Sequence, residues 1–266
     1  MPKLLYTLMK SPCAGNPLLQ EFDNVFRTGL ETILNVQLSD LQWMQASLPV
    51  HMGGLGVRSA CSLASFAFLA FTAATLPLQD EILLASSLAG VEDKDVSNAR
   101  ATWNGLPMAN EPIEASKHIQ RAWDAPITTA AYNEILARCA LPVDQARLKA
   151  LTTSHAGDWL HTPPLTAVGL RLSDEAIRVA TGFRLGTILC QPHICVCGTM
   201  VDARGLHSLA CHKSAPCHIR HSQLNDLIWR AIKKAQIPAS KESIGLSRSD
   251  GKRPDEATPV PWSRGT

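Results

Sequence analysis

Cysteine and histidine are concentrated in one short part of the chain. Residues 190–221 hold ten of the seventeen cysteines and histidines in this 266-residue sequence. Disulfide bonds would account for the cysteines but not for the histidines, whereas thiolate and imidazole together are the ligands that zinc prefers in proteins. The clustering therefore predicts a metal site rather than a disulfide framework.

The most regular spacing in this stretch is C-x-C-x9-H-x3-C. It is formed by Cys195, Cys197, His207 and Cys211. Three thiolates and one imidazole complete a tetrahedral shell, and a shell of four protein ligands leaves no open position for a substrate. The predicted cofactor is thus a structural zinc ion. The one-residue gap between the first two cysteines is shorter than the usual two to four, so other ligands from the stretch remain open. These alternatives are Cys190, His212, Cys217 and His221.

Basic residues are unevenly distributed. Residues 181–266 contain 12 Lys and Arg against 6 Asp and Glu, a balance of +6, whereas residues 1–180 contain 13 against 17, a balance of −4. A basic surface attracts polyanions, so DNA or RNA is the expected partner of the C-terminal third. An amphipathic helix is predicted around residues 224–235, with basic residues on its outer face. The predicted phosphate contacts are Arg220, Arg230, Lys233, Lys234, Lys252 and Arg253.

A second candidate site is the tetrapeptide Lys252-Arg253-Pro254-Asp255. A carboxylate in a basic setting can hold Mg²⁺ for phosphodiester hydrolysis, so Asp255 is the candidate catalytic residue. Magnesium needs a second anchored oxygen ligand, and the only acid after Asp255 is its neighbour Glu256, which would point to the opposite face of a strand. The site is therefore expected to be incomplete and the chain not to act as an enzyme by itself. Magnesium would bind only if the site were completed.

The elements that position these residues are predicted to be mainly α-helical. Apolar spacing and capping residues predict a helix after Asn16-Pro17, a short helix after Ser39, a long apolar helix from about Ser59, two or three helices between 114 and 156, and a helix from Ser173 to about Gly186. Residues 90–112 are polar and are predicted to form a linker or loop. The Cys/His stretch itself is predicted to consist of short extended pieces and turns.

One stretch resembles a membrane span, because residues 59–79 carry no charge. Its hydroxyl residues fall in one sector of a helix and Pro77 is expected to end it, so a buried helix is predicted instead. The apolar patch at residues 4–9 is too short for a signal peptide. We expect an intracellular location, the nucleus included, with no membrane partner and no small-molecule cofactor.

Two stretches resemble parts of the polyproteins of non-LTR retrotransposons. The sequence SLPVHMGGLGVRS at residues 47–59 is similar to the thumb region of their reverse transcriptases. The sequence CVCGTMVDARGLHSLAC, followed by RHSQLNDLIWRAI and GLSRSDGKRPD, resembles their zinc knuckle and the start of their restriction-like endonuclease. In that family, Cys-Cys-His-Cys ligands precede a Lys/Arg-Pro-Asp motif. The knuckle matches Cys195, Cys197, His207 and Cys211, and the second motif matches Arg253, Pro254 and Asp255.

The resemblance implies an order of domains. Residues 1–89 would be a helical thumb-like region, 90–186 a helical connection, 187–236 a zinc-knuckle-like module with a basic helix, and 237–266 a truncated, loosely ordered start of the endonuclease domain. The polymerase acids would precede residue 1 and the second nuclease acid would follow residue 266. The expected function is that of a non-catalytic, nucleic-acid-binding fragment. Two alternatives stay open, a metal-dependent endonuclease completed by another chain and a structural zinc module that docks a protein.

Overall fold

The computed structural model describes residues 2–83, 94–105, 112, 118–211, 213, 215–241, 245 and 256–259, with only the backbone described for Pro2, Leu83, Val168, 215–221 and Glu256. Over these residues the chain is mainly helical, which confirms the predicted fold class. It divides into two compact units, Met1–Leu189 and Cys190–Thr266. The finer division after residues 89, 186 and 236 stays a prediction.

The first unit is built from α-helices. In the described part of the chain its helices are α1 (Pro2–Lys10), α2 (Pro17–Leu34), α3 (Asp40–Ser47), α4 (Ala60–Leu83), α5 (Lys94–Asn104), α6 (Gln120–Arg138), α7 (Pro142–Leu151) and α8 (Asp174–Leu185). Single 3-10 turns lie at Val50–Met52, Asp158–Leu160 and Thr166–Val168.

Over its described residues, the second unit contains two helices and two short antiparallel strand pairs. These elements are α9 (His207–Ala210), α10 (Ala215–Lys234), β1 (His193–Ile194) paired with β2 (Met200–Val201), and β3 (Ser240–Lys241) paired with β4 (Glu256–Ala257). The short strands and turns around residues 193–201 agree with the sequence prediction.

Local capping explains where several helices begin. Asn16 accepts a hydrogen bond from the Leu18 N–H, and Pro17 occupies the first turn of α2. Ser39 and Gln42 form a capping box at the start of α3. Ser173 accepts from the Ala176 N–H at the start of α8. Each cap satisfies a backbone donor that the helix itself leaves unpaired, so these starts were predictable from sequence.

The core of the first unit is centred on α4. Its N-terminal half buries Phe66, Leu69 and their neighbours against α1, α5 and α6. Trp103 of α5 and Trp123 of α6 meet there edge to face, with ring centroids 5.0 Å apart. Among the described residues, α4 is the one helix long and apolar enough to cross a membrane, over Ala60–Ile82. Its buried half is packed as the core helix of the unit, as the sequence predicts.

Two sequence predictions in this unit are wrong. Pro77 does not end the apolar helix, because α4 continues to Leu83. Pro77 has no backbone N–H to donate to the helix. It is exposed, so water can hydrogen bond to the carbonyl that is left without a helical donor. The predicted loop at 90–112 contains α5, because Ala99 and Trp103 lie one turn apart and are buried against the core. That burial outweighs the weak helix propensity of a polar segment.

The start of α4 is capped from another helix. Asp23 of α2 is 3% exposed, and its carboxylate accepts hydrogen bonds from the Ser59 hydroxyl at 2.6 Å, the Ala60 N–H at 2.7 Å and the Cys61 N–H at 3.2 Å. These bonds satisfy donors that α4 cannot satisfy itself. Burial, together with the nearby Asp23 carboxylate, raises the pKa of the Cys61 thiol to about 11.

Asp23→Ala is therefore expected to lower the free energy of unfolding of the first unit by about 1–3 kcal/mol, because two backbone donors lose a charged acceptor. Urea unfolding followed by circular dichroism measures this change. Glu21→Ala provides the control, since Glu21 is exposed on the same helix and should cost less than about 0.5 kcal/mol. Equal effects of the two substitutions would contradict the capping role.

The glycine-rich loop at 53–56 packs closely against α3. The N–H groups of Leu55 and Val57 donate to the Ala46 carbonyl, and that of Gly56 donates to the Leu48 carbonyl. A Cβ atom on Gly54 would lie 1.9 Å from the Leu48 carbonyl oxygen. Only glycine fits at this position, which gives the GGLG sequence a structural reason within this unit.

A buried arginine holds the same loop. Arg184 of α8 is 3% exposed. Its guanidinium donates from Nε to the Gly54 carbonyl at 2.9 Å, from Nη1 to the Ala156 carbonyl at 3.1 Å and from Nη2 to the Val50 carbonyl at 2.6 Å. Burial lowers the pKa of the guanidinium. One side chain thus joins three segments that are far apart in sequence.

The apolar side of α10 is less buried than its amphipathic pattern predicts. Leu224, Leu227 and Ile228 are 45–64% exposed, whereas Asn225 is 4% exposed. The helix therefore presents its basic residues and part of its apolar face to solvent.

Candidate metal centre

A tight turn after β1 brings the first two cysteines together. The Cys195 N–H donates to the Thr199 carbonyl at 2.9 Å, and the Gly198 N–H donates back to the Cys195 carbonyl at 2.8 Å. Gly198 has φ 89°, a conformation that favours glycine. The chain reverses direction between Cys195 and Thr199, so both cysteines lie in the same tight turn.

The other two ligand candidates lie on one helical turn. His207 begins α9, and the Cys211 N–H donates to the His207 carbonyl at 2.9 Å just beyond its end. Residues four apart share one face of a helix, so both side chains point the same way. The Asp202 carboxylate accepts from the Leu206 N–H at 3.1 Å and holds the chain just before this turn.

The four side chains converge. The Sγ atoms of Cys195 and Cys211 are 3.6 Å apart, and the Cys197 Sγ lies 3.1 Å from the His207 Nε2. All four ligand atoms lie within 4.8 Å of one another. Sulfur atoms bound to zinc at about 2.3 Å would be roughly 3.8 Å apart in a tetrahedral shell. These residues thus form a Cys3His cluster able to hold a metal ion, and its donor set fits zinc.

The surroundings favour the thiolate form of Cys197 and disfavour the thiolate form of Cys211. Hydrogen bonding to the Thr199 hydroxyl and backbone lowers the pKa of Cys197 to about 6. Burial, with a contribution from the neighbouring Cys195, raises the pKa of Cys211. Three sulfurs this close repel one another as thiolates, and a bound dication removes that repulsion.

Of the alternative ligands, only Cys190 has a described side chain, and it lies outside the four-residue cluster. The Cys190 thiol donates to the Asp202 carbonyl at 3.4 Å and to the Ala203 carbonyl at 3.7 Å, and it is not part of the four-residue cluster. His212 and the side chains of Cys217 and His221 lie outside the described residues. Cys190 therefore stabilises the chain beside the cluster rather than completing it.

The predicted phosphate contacts are described only in part. Arg230, Lys233 and Lys234 are exposed near the C-terminal end of α10, and the Lys233 Nζ lies 5.4 Å from the centre of the Trp229 ring. The side chain of Arg220 lies outside the described residues, although its backbone belongs to α10. Lys252, Arg253 and the candidate catalytic residue Asp255 lie outside them too.

Sequence reasoning missed two polar contacts in this unit. Thr199 hydrogen bonds with Cys197, a contact that its position two residues later in the turn could have suggested. Lys241 forms an ion pair with Asp226 of α10 and lowers the pKa of that carboxyl group. The second contact joins residues fifteen apart and has no local sequence signal.

Comparison with known proteins adds no assignment. No protein-family model matches the chain, and no curated protein or solved structure is significantly similar to it. The features of this chain that point to a function are therefore the Cys3His cluster and the charges of the unit that contains it.

Proposed function

We propose that residues 190–266 form a zinc-stabilised module that binds nucleic acid. The observation that carries the proposal is the convergence of Cys195, Cys197, His207 and Cys211 within 4.8 Å. Three sulfurs and one imidazole nitrogen are a typical structural zinc set. Four protein ligands leave no position for a reacting water, so zinc here would supply folding free energy rather than chemistry.

The charge of the same part of the chain supports nucleic acid as the partner. The stretch from 181 to 266 carries a balance of +6, against −4 for the rest. Arg230, Lys233 and Lys234 are exposed along one end of α10, which is an arrangement that suits contact with successive phosphates. The resemblance to non-LTR retrotransposon polyproteins implies the same role, and we extend the proposal to a non-catalytic, nucleic-acid-binding part of such a protein.

Binding should be weak, independent of sequence and strongly dependent on salt. Each neutralised phosphate contributes about −0.7 to −0.9 to the slope of log K against log salt. Replacing all three residues in Arg230→Gln/Lys233→Gln/Lys234→Gln should therefore make the slope shallower by about 2–3. Fluorescence anisotropy of the zinc-loaded chain with labelled single-stranded DNA, double-stranded DNA and RNA measures both quantities.

A variant with the same change in charge provides the control. Lys3→Gln/Arg121→Gln/Lys149→Gln removes one arginine and two lysines from exposed positions in the first unit and should leave affinity nearly unchanged. Equal losses in the two triple variants would contradict a specific role for α10. An affinity that does not change with salt would contradict the electrostatic proposal and favour docking of a protein partner.

A further inference from the structure

Helix α2 presents a continuous apolar stripe to solvent. Four large apolar side chains lie on one face at helical spacing and are 36–81% exposed. They are Leu18, Phe22, Val25 and Ile33. An exposed apolar patch of this extent on a folded unit generally marks a binding surface.

The helix cannot turn this stripe toward its own core. A different face of α2 is already buried through Leu19, Asp23 and Leu34, and Asp23 caps the start of α4. Phe22 is also fixed on the outside by its neighbour Phe26, with ring centroids 6.0 Å apart. The stripe is therefore a stable feature of the folded unit.

Gly29 interrupts the stripe, although neither packing within the chain nor the backbone conformation requires a glycine there. Gly29 lies between Val25 and Ile33 on the same face, and a Cβ atom placed on it would meet nothing within 4 Å. Glycine is, after proline, the least favourable residue in a helix interior. The space that Gly29 leaves on this exposed face can accommodate a large side chain of another molecule.

We propose that α2 pairs antiparallel with α2 of a second copy of this chain, about a two-fold axis between residues 25 and 26. In this register, Phe22 of one copy lies opposite Gly29 of the other, where the glycine leaves space for the ring. Leu18 of one copy lies opposite Ile33 of the other. Val25 lies beside its own counterpart at the axis. The stripe is thus complementary to itself in one register, which an isologous dimer requires.

The charges of α2 are compatible with this pairing. Arg27 forms ion pairs with Glu31 and Asp40 on the side away from the stripe, and Asp23 is buried. Glu21 is the charged residue nearest to the stripe, and the antiparallel register places the two copies of Glu21 about nine residues, or roughly 13 Å, apart along the helix axis. No like charges meet at the centre.

The exposed area suits a weak, reversible dimer. Exposed fractions of this size on four large apolar side chains correspond to roughly 500 Å² per copy, and two copies would bury about 1,000 Å², the lower end for specific interfaces. We therefore expect dissociation in about the micromolar range.

Sedimentation equilibrium of the full, zinc-loaded chain, freed of nucleic acid and held at high salt, tests the proposal. The unsubstituted chain should associate to a dimer. Val25→Glu places two carboxylates at the axis and Gly29→Leu fills the space for Phe22, so each should weaken association about tenfold or more. Asn24→Glu adds the same charge off the stripe and should associate like the unsubstituted chain. Unchanged circular dichroism would show that each variant is folded.

Cross-linking tests the register independently. Val25→Cys should form a disulfide-linked dimer when oxygen and a copper catalyst oxidise the two thiols, whereas Asn24→Cys should give no more dimer than the native cysteines of the unsubstituted chain. A chain that stays monomeric over the whole concentration range would overturn the proposal and leave the stripe to a different protein. Association that Val25→Glu does not weaken would overturn it as well.

Discussion

Cys211→Ser is expected to abolish zinc binding and to unfold the Cys/His region of the second unit, the largest effect that we predict for a single substitution. Cys211 is 2% exposed and its Sγ lies 3.6 Å from that of Cys195. Structural zinc supplies apparent folding free energies of about 10–16 kcal/mol in small zinc-binding peptides. A hydroxyl is a poor zinc ligand, so the short strands and turns of residues 190–211 would lose the ion that we propose holds them together.

Native mass spectrometry should find one zinc ion per unsubstituted chain and none in Cys211→Ser. Limited proteolysis should then cleave the variant within residues 190–211. Cys190→Ser is the matched control, because the Cys190 thiol donates to backbone carbonyls outside the cluster and its loss should leave the zinc content at one. Retention of zinc by Cys211→Ser, or loss of zinc from Cys190→Ser, would show that the ligand set is assigned incorrectly.

Arg184→Leu is expected to lower the free energy of unfolding of the first unit by about 3–5 kcal/mol. The guanidinium satisfies the carbonyls of Val50, Gly54 and Ala156 in a buried setting. Leucine would remove one donor from each of these carbonyls, with the Val50 carbonyl keeping only the Gly53 N–H, and water has little access to a residue that is 3% exposed. The loop at 53–56 would then lose its link to α8.

Urea unfolding monitored by tryptophan fluorescence measures this loss. Arg138→Leu removes an arginine whose side chain is 51% exposed and pairs with Glu134 on the surface of α6, so it should change stability by less than about 1 kcal/mol. If Arg184→Leu had an effect as small as the control, the three hydrogen bonds would not be what holds the loop.

The amino-acid sequence by itself determined the local features of this protein. The starts of α2, α3 and α8 follow from Asn16, Ser39 and Ser173, because a cap acts within three residues of its own position. The donor types of the cluster were likewise readable from Cys195 to Cys211, since zinc chemistry depends on residue type and spacing. Much of the mainly helical fold follows from apolar residues repeated along helices such as α2 and α4.

The tertiary structure alone decided which groups meet across long sequence separations. It buried Trp103 and so made a helix of a polar segment, and it placed Asp23 at the start of α4 and Arg184 against the loop at 53–56. It also kept Cys190 out of the Cys3His cluster and left the apolar face of α2 and part of that of α10 exposed. Burial depends on every neighbour in space rather than on neighbours in sequence, and a buried polar group must find a partner wherever the fold provides one. No spacing rule along the chain contains that information.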